Sequence, residues 1–87
     1  MKVTVGRWVH YRLNEADAQI INQTRSDLRS LGNQAEADQV FPAVVVRKFG
    51  EGNTVNLQVS LDGPDTYWAT SRSEGDQPGT WAWPPRV

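Results

Sequence analysis

The aromatic and arginine side chains are the residues of this chain best suited to bind a ligand. There are four tryptophans in 87 residues, and Trp68, Trp81 and Trp83 lie within the last twenty positions. An indole offers a flat face on which a base can stack, and arginine offers a planar fork of donors that fits phosphate oxygens. These residue types together predict a site for a ligand that carries both a ring and a phosphate.

We predict that five residues form this site. Trp68 and Trp81 are expected to stack on a base, Arg72 and Arg47 to bind phosphate, and His10 to hydrogen-bond a ribose or base. Arg72 follows Trp68 at the mouth of a glycine-containing loop, where a ligand can enter and backbone N–H groups can donate. An alternative stays open, because an exposed indole can also seal a subunit interface, where Trp, Tyr and Arg are enriched.

Catalytic chemistry has little support in the sequence. His10 is the only histidine and there is no cysteine, so a zinc site would depend on carboxylates. Ser71 and Ser73 have no base nearby in sequence, and the chain contains no nucleophile-elbow, phosphate-loop or dinucleotide motif. We therefore predict that the protein is not an enzyme, has no catalytic residues and uses no cofactor.

The acidic residues of the second half are interpreted as turn formers rather than as metal ligands. Asp62 and Asp65 flank Gly63-Pro64, a position at which aspartate commonly stabilises a turn. Their spacing to Glu74 and Asp76 does not match a calcium-binding loop. No metal site is predicted.

Composition restricts the partners and the compartment. Lys and Arg number 9 against 10 acidic residues, and this near balance makes nucleic-acid binding unlikely because binding to a phosphate backbone depends on a basic surplus. No apolar run reaches the roughly 20 residues that cross a bilayer, and residues 1–5 lack the apolar stretch of a signal peptide. We expect a cytoplasmic protein, in the cytoplasm of a host cell, with no membrane partner.

The first half of the chain predicts one strand and one helix. Alternating apolar residues predict a strand over 3–13, with a bend at Gly6. Helical spacing then predicts a helix over about 15–31, capped by Asn14. The apolar positions Ile20, Leu28 and Leu31 are expected to lie against the barrel or a second subunit, and the polar positions Gln23, Arg25, Asp27 and Ser30 to face solvent.

The second half predicts an antiparallel β-meander over 40–83. Val55, Leu57, Val59 and Leu61 alternate with polar residues and are expected to face inward. Short strands with tight turns and one helix after the first strand predict a mainly β fold with one helix, a small SH3-like antiparallel β-barrel. Residues 1–87 are expected to form this single domain, and because a core of that size is only marginally stable, we expect a homo-oligomer.

Several segments of the chain carry a resemblance to a known group of proteins. They are Val9-His10-Tyr11, Phe41-Pro42-Ala43-Val44-Val45-Val46-Arg47, Val55-Asn56-Leu57-Gln58-Val59, the run 62–72, and the ending Gly79-Thr80-Trp81-Ala82-Trp83-Pro84-Pro85. Together they resemble a family of small proteins of actinobacterial phages and prophages. The resemblance implies a phage accessory protein that acts on the host, similar in kind to small proteins that sequester nucleotide signals with aromatic rings and arginines.

These observations predict a non-enzymatic phage binding protein that sequesters a nucleotide-type immune signal of the host. The alternative is a protein-interaction module that docks on a host or phage protein through the same aromatic surface.

Overall fold

Five strands and one helix make up the computed structural model, which describes residues 2–28 and 33–85. In chain order they are β1 (Trp8–Arg12), α1 (Glu15–Leu28), β2 (Val40–Phe49), β3 (Thr54–Ser60), β4 (Thr66–Arg72) and β5 (Trp81–Ala82). The prediction of a mainly β fold with one helix after the first strand is confirmed.

The strands form one antiparallel sheet in the order β4-β3-β2-β1-β5. Strands β2, β3 and β4 follow one another as a meander, whereas β5 crosses to the opposite edge and pairs with β1. In the described residues the two edges meet only at an isolated parallel bridge between Glu74 and Trp81. The sheet is therefore open, and it does not close into the predicted barrel.

Alternation in β3 fills the core as the sequence predicts. Val55, Leu57 and Val59 are fully buried, and Leu61 is also buried. Asn56 departs from the alternation and is buried too, because the register with β4 shifts between Val55 and Leu57. Its side-chain oxygen accepts hydrogen bonds from the Ser71 N–H at 2.8 Å and the Thr70 hydroxyl at 2.9 Å. The register shift thus leaves the polar Asn56 side chain buried, and hydrogen bonds satisfy its side-chain oxygen.

Strand β1 is shorter than the predicted strand over 3–13. Gly6 has a φ of 92°, a left-handed conformation that glycine adopts at little cost, and the chain turns there. The Gly6 N–H donates to the Val45 carbonyl at 2.8 Å, which joins the turn to β2. Val3 before the turn is buried in the core, whereas Val5 is exposed.

A reciprocal capping box fixes the start of α1. The Asn14 side-chain oxygen accepts the Asp17 N–H at 2.7 Å, and the Asp17 carboxylate accepts the Asn14 N–H at 3.0 Å. Each residue satisfies an amide that has no partner within the helix. Asn14 therefore caps the helix, as the sequence predicts.

The buried face of α1 differs from the predicted one. Ala18, Ile21 and the charged residues Asp17 and Arg25 are buried, whereas Ile20 is 51% exposed. Ile20 therefore does not pack against the sheet, and the prediction that Arg25 faces solvent is wrong. The predicted packing of Leu28 and Leu31, the exposure of Asp27 and Ser30, and a helix end near residue 31 fall outside what the structure describes.

Arg25 is buried because it clamps two loops to the helix. Its guanidinium binds the Asp65 carboxylate in bidentate fashion at 2.8 and 3.0 Å, and it also donates to the carbonyls of Asn33 and Asp62. The hydrogen bond from Arg25 lowers the pKa of Asp65. The clamp connects α1 to the segment before β2 and to the turn between β3 and β4.

We expect Arg25→Lys to lower the free energy of unfolding by about 2 kcal/mol, because lysine cannot reproduce a bidentate pair with its further carbonyl contacts. Chemical denaturation measures the change, and the exposed Gln19→Ala in the same helix is the matched control. The depressed pKa of Asp65 means that its contribution is present above about pH 4 and is lost as the pH falls. Equal stability of Arg25→Lys and Gln19→Ala would contradict the clamp.

Candidate functional site

Trp81 lies in the core rather than on a binding surface. It is 1% exposed, and its indole N–H donates to the Asn53 carbonyl at 2.9 Å. Its ring meets the ring of Trp83 edge to face, with centroids 5.5 Å apart and an interplanar angle of 87°. This position leaves Trp81 no ring face on which a ligand can stack, contrary to its predicted role.

The two predicted phosphate ligands both have partners within the protein. Arg72 ends β4 rather than lying in a loop, and its guanidinium donates to the Asp17 carboxylate at 2.8 Å. It also lies 5.6 Å from the centre of the Tyr11 ring. Arg47 is exposed on β2, and its guanidinium lies over Phe49 at 5.1 Å. Of the two arginines, Arg47 is the more accessible to a ligand, since Arg72 would have to leave Asp17.

Trp68 and His10 point to the same outer side of the sheet but lie far apart on it. Trp68 is 56% exposed on the edge strand β4, opposite Gln58. His10 is half-buried on β1, which is separated from β4 by two strands, and it pairs with Ala82 of β5. The five predicted contacts therefore do not come together in one site.

A cavity of about 310 Å³ opens instead where β1 meets β5, and we call it the β1–β5 cleft. An imidazole, a guanidinium and an indole line it together, and this combination was not predicted from the sequence. Its principal lining residues are His10, Arg12, Val40, Asp76, Thr80 and Trp83. Only His10 among them belongs to the predicted site.

Strand pairing and one glycine hold the wall of the cleft. The Arg12 N–H donates to the Thr80 carbonyl at 3.1 Å, and the Gly79 N–H donates to the Arg12 carbonyl at 2.8 Å. Gly79 has a φ of 85°, and a Cβ there would lie 2.9 Å from the Asn14 side-chain nitrogen. A larger residue would thus displace either the helix cap or the chain that leads into β5.

Arg12 is the cation of the cleft that is available to a ligand. Its nearest carboxylate is that of Asp38 at 3.8 Å, and both side chains are substantially exposed. Such a pair is weak in water, so an anion in the cleft can replace Asp38. The Asp76 carboxylate lies in the same cleft and suits a donor such as a ribose hydroxyl or a base N–H.

A second polar cluster, which was not predicted from the sequence, lies on the inner side of the sheet. Asp17 is 1% exposed and accepts hydrogen bonds from the hydroxyls of Tyr11 and Tyr67 as well as from Arg72. We call these four residues the Asp17 cluster. The spacing of Asn14 and Asp17 is typical of a capping box and could have singled out Asp17, but nothing local connects it to β4.

Burial and the negative charge of Asp17 make both hydroxyls of the cluster hard to ionise. Burial raises the pKa of Tyr67 to about 12, with the hydrogen bond to Asp17 acting in the same direction. Burial and that carboxylate also raise the pKa of Tyr11 above its usual value. None of the four residues of the Asp17 cluster lines the β1–β5 cleft, and we interpret the cluster as structural.

Comparison of the chain with family models, with curated proteins and with solved structures gives no match to any of them. Within residues 2–28 and 33–85, no group of three or more His, Asp or Glu side chains is placed to hold a metal ion. The same residues include no helix long and apolar enough to span a bilayer. The geometry of the β1–β5 cleft is therefore the basis for a functional proposal.

We expect the two tyrosines to titrate only as the protein unfolds. Tyr11 and Tyr67 are the only tyrosines, so phenolate absorbance of the whole protein measures this cluster. An unfolded tyrosine is half-ionised near pH 10, whereas the folded pKa values are higher, so stability is complete below pH 10 and falls as the pH rises towards 12. Phenolate absorbance and circular dichroism should then change together, and half-ionisation near pH 10 with the fold intact would contradict the cluster.

We expect Asp17→Asn to lower the free energy of unfolding by about 3 kcal/mol. This is the low end of the cost of breaking a buried ion pair, because the Arg72 side chain retains 24% exposure. Thermal and chemical denaturation measure the change, with Glu15→Gln, an exposed first-turn neighbour, as the control for lost helix-end charge. Equal effects of the two substitutions would show that the buried carboxylate contributes only to the helix dipole.

Proposed function

We propose that this protein is a small SH3-like binding domain that sequesters a nucleotide-type ligand in the β1–β5 cleft. One observation carries the proposal: Trp83, Arg12 and His10 line a single cavity. An indole, a guanidinium and an imidazole are the groups that bind a base, a phosphate and a ribose or base edge. Given the resemblance to phage proteins, the ligand would be an immune signal of the host, and binding would protect the phage.

In this proposal Trp83 supplies the stacking face in place of Trp81. The edge-to-face contact with Trp81 holds the Trp83 ring in position, so little conformational freedom is lost when a base binds. Arg12 exchanges its weak contact with Asp38 for a ligand phosphate. A volume of about 310 Å³ is at the lower end of the range for ligand pockets, which favours one nucleotide unit inside the cleft with any remainder outside.

We propose that the protein binds the nucleotide and releases it without chemical change. In the part of the chain that the structure describes, His10 has no hydrogen bond to a carboxylate that would orient it as a general base. The predicted behaviour is release of the ligand unaltered when the protein is denatured by heat. Recovery of a cleaved nucleotide would instead identify the protein as an enzyme.

We expect Arg12→Gln to weaken nucleotide binding by about 10- to 100-fold, the loss that follows removal of a charge-assisted hydrogen bond. Calorimetry against cyclic dinucleotides and ADP-ribose derivatives measures the affinity, and Trp83→Leu should cause a loss of similar size by removing the stacking ring. Arg47→Gln is the matched control, because Arg47 lies over Phe49 outside the cleft.

Two outcomes of this experiment would count against the proposal. If no nucleotide of the panel binds the wild-type protein, sequestration of a nucleotide is wrong. If Arg47→Gln reduces affinity and Arg12→Gln does not, the ligand lies at the phosphate site predicted from sequence rather than in the cleft.

Protein docking is the second candidate, and a separate observation favours it. Trp8 and Trp68 expose 57% and 56% of their surface on the outer side of the sheet, away from the Asp17 cluster. Large exposed aromatic groups are typical of protein interfaces. The aromatic surface of this candidate is therefore formed by Trp8 and Trp68.

A further inference from the structure

The two exposed indoles belong to one row of residues that crosses the sheet. Trp8 of β1 pairs with Val44 of β2, Val44 with Gln58 of β3, and Gln58 with Trp68 of β4. We call these four residues the tryptophan row. With strands about 4.8 Å apart, the two indoles lie roughly 14 Å from each other at the ends of the row. Both indoles occupy the same face, opposite the buried side chains of the core.

The face around the tryptophan row carries few charges. Alternation and strand pairing place on it Trp8, His10, Arg12, Val40, Pro42, Val44, Arg47, Phe49, Thr54, Asn56, Gln58, Ser60, Thr66, Trp68, Thr70 and Ala82. Two of these residues are charged, namely Arg12 at the margin beside the cleft and Arg47, which pairs with Asn56 next to the row. An antiparallel sheet face left in water normally carries polar and charged residues. The two arginines lie on opposite sides of the tryptophan row and the row itself is uncharged, so it can meet an identical row without charge repulsion.

We propose that a second copy of this chain covers this face, so that the protein is a two-fold symmetric dimer with the sheets packed face to face. The tryptophan row has an indole at each end. The two-fold axis runs parallel to the strands, between the two sheets, over the midpoint between Val44 and Gln58. It places the row of one copy against the partner's row in the opposite direction. Trp8 then faces the partner's Trp68, and Trp68 faces the partner's Trp8, which is the reciprocity that an isologous interface requires.

The exposed area of the two indoles accounts for about half of a small stable interface, which fits a dimer of modest affinity. At 57% and 56% exposure, side chains that each offer about 250 Å² present about 280 Å² per copy. Two copies therefore contribute roughly half of the approximately 1,200 Å² that marks the lower limit of stable interfaces, before Val40, Gln58 and the threonines of β4 are included. The dimer is accordingly expected to dissociate on dilution. It is expected to form without the ligand proposed for the cleft, although His10, Arg12 and Val40 of this face also line the cleft.

The test is sedimentation velocity over a wide range of protein concentration. The wild-type chain should shift from monomer to dimer as concentration rises, and Trp8→Lys and Trp68→Glu should each remain monomeric. The chain that carries both substitutions should recover the dimer, because each introduced lysine then faces the glutamate introduced in the partner. Circular dichroism verifies that every variant is folded.

Ile20→Lys is the matched control, because Ile20 is an exposed apolar residue on α1 rather than on the sheet. It should leave dimerisation unchanged. A wild-type monomer at every concentration would overturn the proposal and leave the face free for a different protein. Dimerisation that persists in both single variants, or that is lost in Ile20→Lys, would also overturn it. Failure of the double variant to recover the dimer would refute the reciprocal pairing.

Discussion

The rest of the fold depends on the hydrogen bonds that the buried carboxylate of Asp17 accepts. Removing a carboxylate from water is costly, and the cost is offset only if several donors replace the lost hydration. Tyr11, Tyr67 and Arg72 provide these donors from β1 and β4, while Asn14 closes the helix cap. One side chain therefore fixes the start of the helix against two strands that are not neighbours in the sheet.

Arg25 performs the corresponding role further along α1. The helix buries few large apolar side chains in its described part, so its position cannot depend on hydrophobic packing alone. Charged residues, one near the helix start and one towards its end, bind partners with defined geometry. Such pairs favour one orientation of the helix over its alternatives, because a rotated helix would bury both charges without partners.

The predictable part of the structure was encoded by local patterns. Alternation in β3 predicted its buried face, and Asn14 predicted the helix cap, because both depend on residues close together in the chain. The buried face of α1 could not be predicted from its apolar residues, since Arg25 gains its partner from Asp65, forty residues away. The five predicted site residues lie apart for the same reason. Trp81 becomes a core residue only because β5 pairs with β1.

The placement of β5 has a consequence for synthesis on the ribosome. Trp81 is one of the largest fully buried side chains, yet it enters the sheet beside β1, which is translated at the start of the chain. The nascent chain can pair β2, β3 and β4 as they emerge, but it cannot complete its core until residues near Trp81 have left the exit tunnel. During that interval the edge of β1 that faces away from β2 lacks its neighbour, and the site of Trp81 in the core is unfilled. This interval is when the chain is most exposed to aggregation and to capture by chaperones.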